Sequence, residues 1–255
     1  MIIDGRAIAN KIVNQLKKET KPTKKLVAIL VGDNPSSISF LKQKQKLANE
    51  LGIEFELIKF TEINEEDLII EIEKINKDDS IGGVIIQLPL PSELNKNNIL
   101  LRLSPQKDVD ALTNQALVMP LSVEVVKDIL KEQNYSLEDK IIAVIGQGEL
   151  IGKPITNWLE KNYKKPIIVD IGDDINKIKR ADLVISGVGK SGLIDRSNLK
   201  EGANVIDFGF SLENGKISGD LAYEGLTGWY TVTPGGTGPI LVAEIFKNFY
   251  KLSNK

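Results

Sequence analysis

Apolar positions along the chain fall into short blocks that alternate between a helical and an extended repeat almost from end to end. Ile8, Ile12, Val13 and Leu16 recur at helical spacing within 4–20, and Leu26–Val31 is a continuous apolar run that reads as a buried strand. The turn Gly32-Asp33-Asn34-Pro35-Ser36 then launches a helix over 36–51. A strand over 53–60, a helix over 64–77 and a strand over Gly83–Gln87, stopped by Pro89 and Pro91, follow. A helix over 93–102 completes a first unit of three strands.

A helix over 121–134 leads into a second unit, with strands at Ile141–Ile145, Pro166–Asp170, 182–186 and 203–207 and helices at 151–163 and 174–180. The last helix puts Leu241, Ile245, Phe246 and Phe249 on one face. This βαβ rhythm predicts an α/β protein with parallel sheets, the second a doubly wound, Rossmann-like nucleotide-binding sheet. There is no internal repeat and no low-complexity linker between the halves.

The 255 residues suffice for one large or two medium domains, and 42% hydrophobic with 27% charged residues is a globular balance. Lys and Arg number 33 against 35 Asp and Glu, so there is no positive field to gather nucleic acid or an anionic membrane. No apolar run approaches the roughly 18 residues of a membrane span, and Asp4 and Arg6 stand where a signal peptide would be apolar, so a cytoplasmic location is expected. The chain has no Cys and no His. Thiolate chemistry and the commonest metal ligands are thereby removed, no metal is expected, and proton transfer falls to Lys, Asp, Glu, Tyr or water.

Three places carry candidate chemistry. Gly146-Gln147-Gly148-Glu149-Leu150-Ile151-Gly152 directly follows a strand and opens a helix, where glycines let backbone N–H groups approach a pyrophosphate. A Gly-x-Gly alone is an ordinary tight turn, but here the next strand ends at Asp170, where an acid can accept from the ribose hydroxyls of NAD and repel the phosphate of NADP. Gln147 and Gly148 supply no cation for that phosphate, and Gly187 and Gly189 would let backbone approach the same ligand. Secondly, Lys44 falls within an apolar stripe of Phe40, Leu41, Leu47, Ala48 and Leu51. Desolvation there would free a neutral amine to act as a base, unless the side chain snorkels to solvent. Gln87 at a strand's carboxyl edge and Asp110 in the loop Lys107-Asp108-Val109-Asp110 are its candidate partners, with bland readings as a capping amide and a turn acid. Thirdly, Pro234, Gly235 and Gly236 in Thr233–Pro239 read either as a helix entry or as a backbone wall of a pocket.

Together these segments resemble the bifunctional methylenetetrahydrofolate dehydrogenase/methenyltetrahydrofolate cyclohydrolase family. VGDNPSS with Phe40 and Lys44 is similar to its Ser-x-x-Tyr-x-x-x-Lys helix, GVIIQLPLP to its strand exit and KDVDA to its Lys-Asp-Val-Asp-Gly loop. VIGQGELIGKP, GANVIDFG, GDLAY and TPGGTGP follow in family order. The resemblance implies a folate-binding catalytic domain over 1–120 completed by 237–255, an NAD(P)-binding domain over 121–236, a cleft joining them and a homodimer. It implies oxidation of methylenetetrahydrofolate to methenyltetrahydrofolate with NAD or NADP, then hydrolysis to formyltetrahydrofolate. Carried over, Lys44 is the catalytic lysine, Gln87 its partner and Asp110 the pterin anchor. Phe40 and the 234–236 turn contact substrate, and Gly146, Gln147, Gly148, Leu150, Asp170, Gly187, Gly189 and Ser122 contact cofactor. Phe40 replaces the family Tyr, Ala111 a Gly, Ser122 a Thr, Gln147-Gly148 an Arg-Ser pair and Leu241 a Thr. These departures favour NAD over NADP and leave open a dehydrogenase without cyclohydrolase activity, or an inactive folate- or nucleotide-binding paralogue.

Overall fold

The computed structural model describes residues 1–113, 115–213 and 215–254. The chain opens with strand β1 (Ile2–Ile3), helix α1 (Gly5–Leu16), β2 (Lys25–Val31), α2 (Pro35–Leu51), β3 (Phe55–Phe60), α3 (Glu65–Lys77), β4 (Ile81–Ile86) and a short α4 (Lys96–Leu100). After α5 (Leu121–Glu132) come β5 (Ile142–Ile145), α6 (Gly152–Asn162), β6 (Ile167–Val169), β7 (Leu183–Ser186) and β8 (Asn204–Asp207). A hairpin of β9 (Ser211–Glu213) and β10 (Lys216–Ser218), strand β11 (Tyr230–Thr231) and α7 (Thr237–Ser253) complete it. The expected helix at 174–180 is a 3-10 segment, Ile175–Arg180, tightened at its entry by the Asp174 side chain accepting from Asn176 N–H. The two-residue strands β1 and β11 are too short to show a period, which takes four or more residues.

Two compact units form: Met1–Asn10 with Ser122–Leu241, and Lys11–Leu121 with Val242–Lys255. The first ten residues, which the family resemblance groups with the folate-binding domain, fall in the other unit because β1 pairs in parallel with β11.

The unit of Lys11–Leu121 is built on a parallel three-stranded sheet ordered β3-β2-β4. Local signals agree with it: the Asn34 side chain caps α2 by accepting from Ser37 N–H at 3.0 Å, with Pro35 in the first turn. In α3, Glu65, Glu66 and Asp67 lie at the positive N-terminal end and Lys74 and Lys77 at the negative C-terminal end. Val27, Ile29 and Val31 of β2 pack on Leu68, Ile72 and Ile75 of α3, each contributing about 1.5–3 kcal/mol on burial. The opposite face carries Gly83, where a side chain would collide with Phe249 of α7 and with Leu26.

The unit of Ser122–Leu241 holds a wholly parallel six-stranded sheet ordered β1-β11-β8-β7-β5-β6. Ala143, Ile145, Val184 and Val205 are fully enclosed in its core. All-parallel strands covered on both faces read as unbroken apolar runs, which is why β5 and β7 are legible in the sequence.

Candidate active site

In the three-stranded sheet the chain passes from β2 first to β3 on one side and then to β4 on the other. The carboxyl ends of β2 and β4 therefore form a topological switch point, the usual ligand edge of an open α/β sheet. Gln87 stands there, its N–H donating to Ile29 O of β2 at 2.9 Å. Its side chain is buried; Nε2 donates to Leu88 O at 2.7 Å and Oε1 accepts from Lys44 Nζ at 3.0 Å. Lys44 is only 4% exposed, so it does not snorkel. Burial lowers its pKa from the ordinary lysine value, against an opposing pull from the Asp110 charge. Phe40, one turn earlier on α2, sets its ring centroid 5.1 Å from Nζ.

The Asp110 loop is fixed by its neighbours. Lys107 Nζ donates to Ile75 O at 2.8 Å and Asp78 O at 2.7 Å, closing the end of α3. The buried Asp108 carboxylate accepts from Leu112 N–H at 3.1 Å and Thr113 N–H at 2.8 Å. Asn248 of α7 donates from Nδ2 to Val109 O at 3.0 Å. Asp110 itself keeps some open surface, but enclosure of its carboxyl raises the pKa to about 6, Lys44 pulling it down and Asp108 pushing it up. Ala111 adopts φ 55°, so the turn behind Asp110 is left-handed and carries a Cβ at the cost of strain. Lys44, Gln87, Phe40 and Asp110 thus form one electrostatically linked group within a single unit.

In the six-stranded sheet the chain leaves β5 for β6 on one side and then for β7 and β8 on the other, placing a second switch point between β5 and β7. Gly146 follows β5 with φ 81° and donates its N–H to Val169 O of β6 at 2.8 Å. Asp170, the first residue after that strand, is exposed at the same edge. A Cβ on Gly152 would come 1.7 Å from Gly146 O, so only glycine lets the start of α6 approach the turn this closely. This narrow glycine turn leading into a helix, with an exposed acid on the neighbouring strand, fits a dinucleotide: Gly146, Gln147 and Gly148 would face its phosphates and Asp170 its ribose. Gln147 turns inward, Nε2 donating to Gly146 O and Thr156 Oγ1, both at 3.2 Å. Leu150 is exposed within the same turn, and Gly189 has φ 79°.

Other expectations take a different form. The space beside Gly187 is filled by Ile151, 2.6 Å from where a Cβ would stand, so only glycine fits there. A Cβ on Gly5 would lie 1.7 Å from Gly236 O, so the Pro234-Gly235-Gly236 turn meets the start of α1. Ser122 is buried and its hydroxyl has no hydrogen-bond partner.

Sequence reasoning assigned no role to Asp207 and Asp220, both fully buried at this carboxyl edge. Asp207 accepts from Gly209 N–H at 2.6 Å and Leu221 N–H at 3.0 Å. Asp220 accepts from Ser186 Oγ at 2.6 Å, Val188 N–H at 2.8 Å and Lys190 N–H at 2.7 Å. Burial, and then the Asp220 charge, push the Asp207 carboxyl up to about 6. The motifs GANVIDFG and GDLAY contain both acids and were the available signal.

A parallel nucleotide-type sheet and an α/β unit with a buried lysine at its switch point define a two-domain pyridine-nucleotide enzyme. The chain belongs to the tetrahydrofolate dehydrogenase/cyclohydrolase family: the family's catalytic domain matches residues 3–110 and its NAD(P)-binding domain residues 120–255. It is 35% identical to the bifunctional protein FolD of Staphylococcus carnosus over 97% of this chain and 94% of that one. Among solved structures, the bifunctional FolD methylenetetrahydrofolate dehydrogenase/cyclohydrolase of Campylobacter jejuni is 30% identical with a TM-score of 0.95, covering 100% and 98% of the two chains. The bifunctional enzyme of Thermoplasma acidophilum is 26% identical with a TM-score of 0.91, covering 100% and 98%.

Proposed function

We propose that this protein oxidises methylenetetrahydrofolate to methenyltetrahydrofolate, with NAD preferred to NADP, and hydrolyses the methenyl product to formyltetrahydrofolate. The observation that carries the reading is the buried Lys44–Gln87 contact at a sheet switch point, in a chain whose two halves match the two domains of the family. Asp110 accepts paired N–H groups of the pterin ring, as a carboxylate does in bidentate fashion, and Phe40 offers a ring face to the folate. In the hydrolysis, water adds across the methenyl C=N bond and gives a proton to Lys44 Nζ, made receptive by desolvation and kept in place by Gln87 Oε1; one C–N bond of the bridge then breaks, the leaving nitrogen takes that proton back, and the formyl group remains on the other nitrogen.

When bound, the nicotinamide nucleotide supplies the hydride acceptor. Gly146, Gln147 and Gly148 hold its phosphates and Asp170 its ribose, while Gln147, bonded inward to Thr156, offers no cation to a 2′-phosphate. By family resemblance the protein acts as a cytoplasmic homodimer on tetrahydrofolate derivatives; among the described residues no helix is long and apolar enough to cross a membrane.

The test is an absorbance time course of purified protein with methylenetetrahydrofolate and either NAD or NADP, following reduced nicotinamide and the methenyl chromophore together. Reduction of NAD with a methenyl signal that rises and decays is the expected result. A methenyl signal that accumulates without decay would mean that Phe40, lacking the family hydroxyl, leaves a dehydrogenase alone. Absence of reduction with both nucleotides would overturn the oxidoreductase reading in favour of a binding protein.

A further inference from the structure

We infer that Asp220 is a positioning residue for the nicotinamide nucleotide, fixing the 186–190 segment that forms one side of the β5/β7 switch point. The inference rests on the cofactor assignment above and adds to it a residue that touches neither cofactor nor substrate.

The geometry starts at the sheet. β5 and β7 pair in register with Ile145 opposite Ser186, and Gly187 N–H donates to Ile145 O at 3.1 Å, so the segment leaves β7 directly alongside the Gly146 turn. Val188 Cγ2 lies 3.1 Å from where a Gly146 Cβ would stand, and Gly187 O lies 3.4 Å from it. The Val188 side chain is 42% exposed and presents an apolar surface over the glycine turn. Any displacement of the segment therefore changes the space at the one place where the sheet topology puts a dinucleotide.

Besides the sheet bond at Gly187 and Ser211 Oγ donating to Gly189 O at 2.8 Å, three of the segment's donors converge on one carboxylate. Asp220 Oδ2 accepts from Ser186 Oγ and Val188 N–H, and Oδ1 from Lys190 N–H. Three donors spread over five residues converge on two oxygens, so the loop is pinned at its start, middle and end. Hydrogen bonds to a buried ionised acceptor are the strong kind, and neither oxygen can be replaced by a donor without opposing an N–H.

Asp220 is in turn held. A Cβ at Gly209 would come 2.3 Å from its carboxyl, so that carboxyl lies directly on the backbone of the segment after β8. Asp207 binds the residue after Asp220, Leu221, through its N–H. Thr231 Oγ1 accepts from Asp207 N–H at 2.7 Å, and Thr237 Oγ1 donates to Asp207 O at 3.0 Å. The sheet thus positions Asp207, Asp207 positions the 220 segment, and Asp220 positions the loop against Gly146.

The experiment compares wild type, Asp220→Asn and Ser186→Ala for the dissociation constants of NAD and of folate, by isothermal titration, and for KM and kcat in methylenetetrahydrofolate oxidation. In Asp220→Asn the amide nitrogen opposes a backbone N–H. NAD affinity is expected to fall about tenfold or more, KM for NAD to rise in step, and folate affinity to stay within about twofold. Ser186→Ala, which removes one of the three bonds, weakens NAD by a smaller factor. A parallel loss of folate affinity in Asp220→Asn would reduce the residue to general stability and overturn the inference, as would unchanged NAD affinity. Should Asp220→Asn fail to fold, Ser186→Ala decides alone, wild-type NAD affinity overturning the inference. A wild type that binds NAD but oxidises no folate refutes the proposed reaction and leaves this comparison intact; one that binds neither nucleotide refutes both.

Discussion

Lys44 and Gln87, 43 positions apart in sequence, meet at 3.0 Å with both side chains buried. The amide can face the lysine in one way only, because Gln87 Nε2 is committed to the Leu88 carbonyl and leaves Oε1 for Nζ. A neutral amine donating one N–H to Oε1 keeps its lone pair for a proton, which is the state a base needs.

Replacing Lys44 with Met keeps the length and apolar stem of the side chain and removes the amine. Hydrolysis of methenyltetrahydrofolate should fall by at least about a hundredfold, the scale of a lost general base, while folate affinity by titration changes little. Hydrolysis at the wild-type rate would take Lys44 out of the mechanism.

Phe40→Tyr returns a hydroxyl to the ring that lies 5.1 Å from Nζ. The rate of decay of the methenyl absorbance should increase and the dehydrogenase rate should not. If the decay rate stays constant, the hydroxyl is not what limits the second step in this chain.

Asp110 must be ionised to accept from pterin N–H groups, and burial raises its pKa to about 6. The sign follows: kcat/KM for the folate substrate is full above that value and falls as pH drops through it. The same shift makes Asp110 contribute stability as pH falls, since the folded chain binds this proton more tightly than an unfolded one. pH profiles of kcat/KM and of Tm for wild type and Asp110→Asn check the two in turn, the acid limb near 6 being absent from the variant's residual activity.

At Ala111 a Cβ is carried in a left-handed backbone at φ 55°. Ala111→Gly should relieve about 1 kcal/mol of strain, partly offset by the greater freedom of glycine in the unfolded chain, for a net rise of about 1–2 °C in Tm. Thermal unfolding monitored by circular dichroism measures it; a drop in Tm would show that the turn is not strained.

Gly152→Ala would put a methyl 1.7 Å from Gly146 O and force α6 away from the glycine turn. NAD affinity should fall by more than about tenfold with folate affinity retained, as titrations with each ligand would read.

Much of the fold is legible in the sequence because the strongest signals are local. Leu26–Val31 and Ile142–Ile145 are buried on both faces and read as apolar runs, and the spacing of the α2 stripe alone puts Lys44 on the inward face of its helix. The site's partnerships are less legible, because they depend on strand order. Gln87 reaches Lys44 only because β4 and β2 are neighbours, and Asp170 shares an edge with Gly146 only because β6 and β5 are. Asp207 and Asp220 lie in the motifs GANVIDFG and GDLAY, but what they bind is not legible there, because their donors come from segments distant in the chain. Gly187 and Gly5 show a packing demand that the sequence does not reveal, the first admitting Ile151 and the second the backbone of Gly236.

The division of the chain also bears on how the protein is made. Lys11–Leu121 contains every strand of the three-stranded sheet, yet the same unit includes Val242–Lys255, whose Phe249 packs against Gly83. A ribosome delivering residues in order therefore releases that sheet long before the helix that covers it, and more than a hundred residues of the other unit emerge in the interval. Through that interval the sheet face around Gly83 has Val109 but not Phe249 against it, and apolar surface left open in this way during synthesis favours misfolding and aggregation.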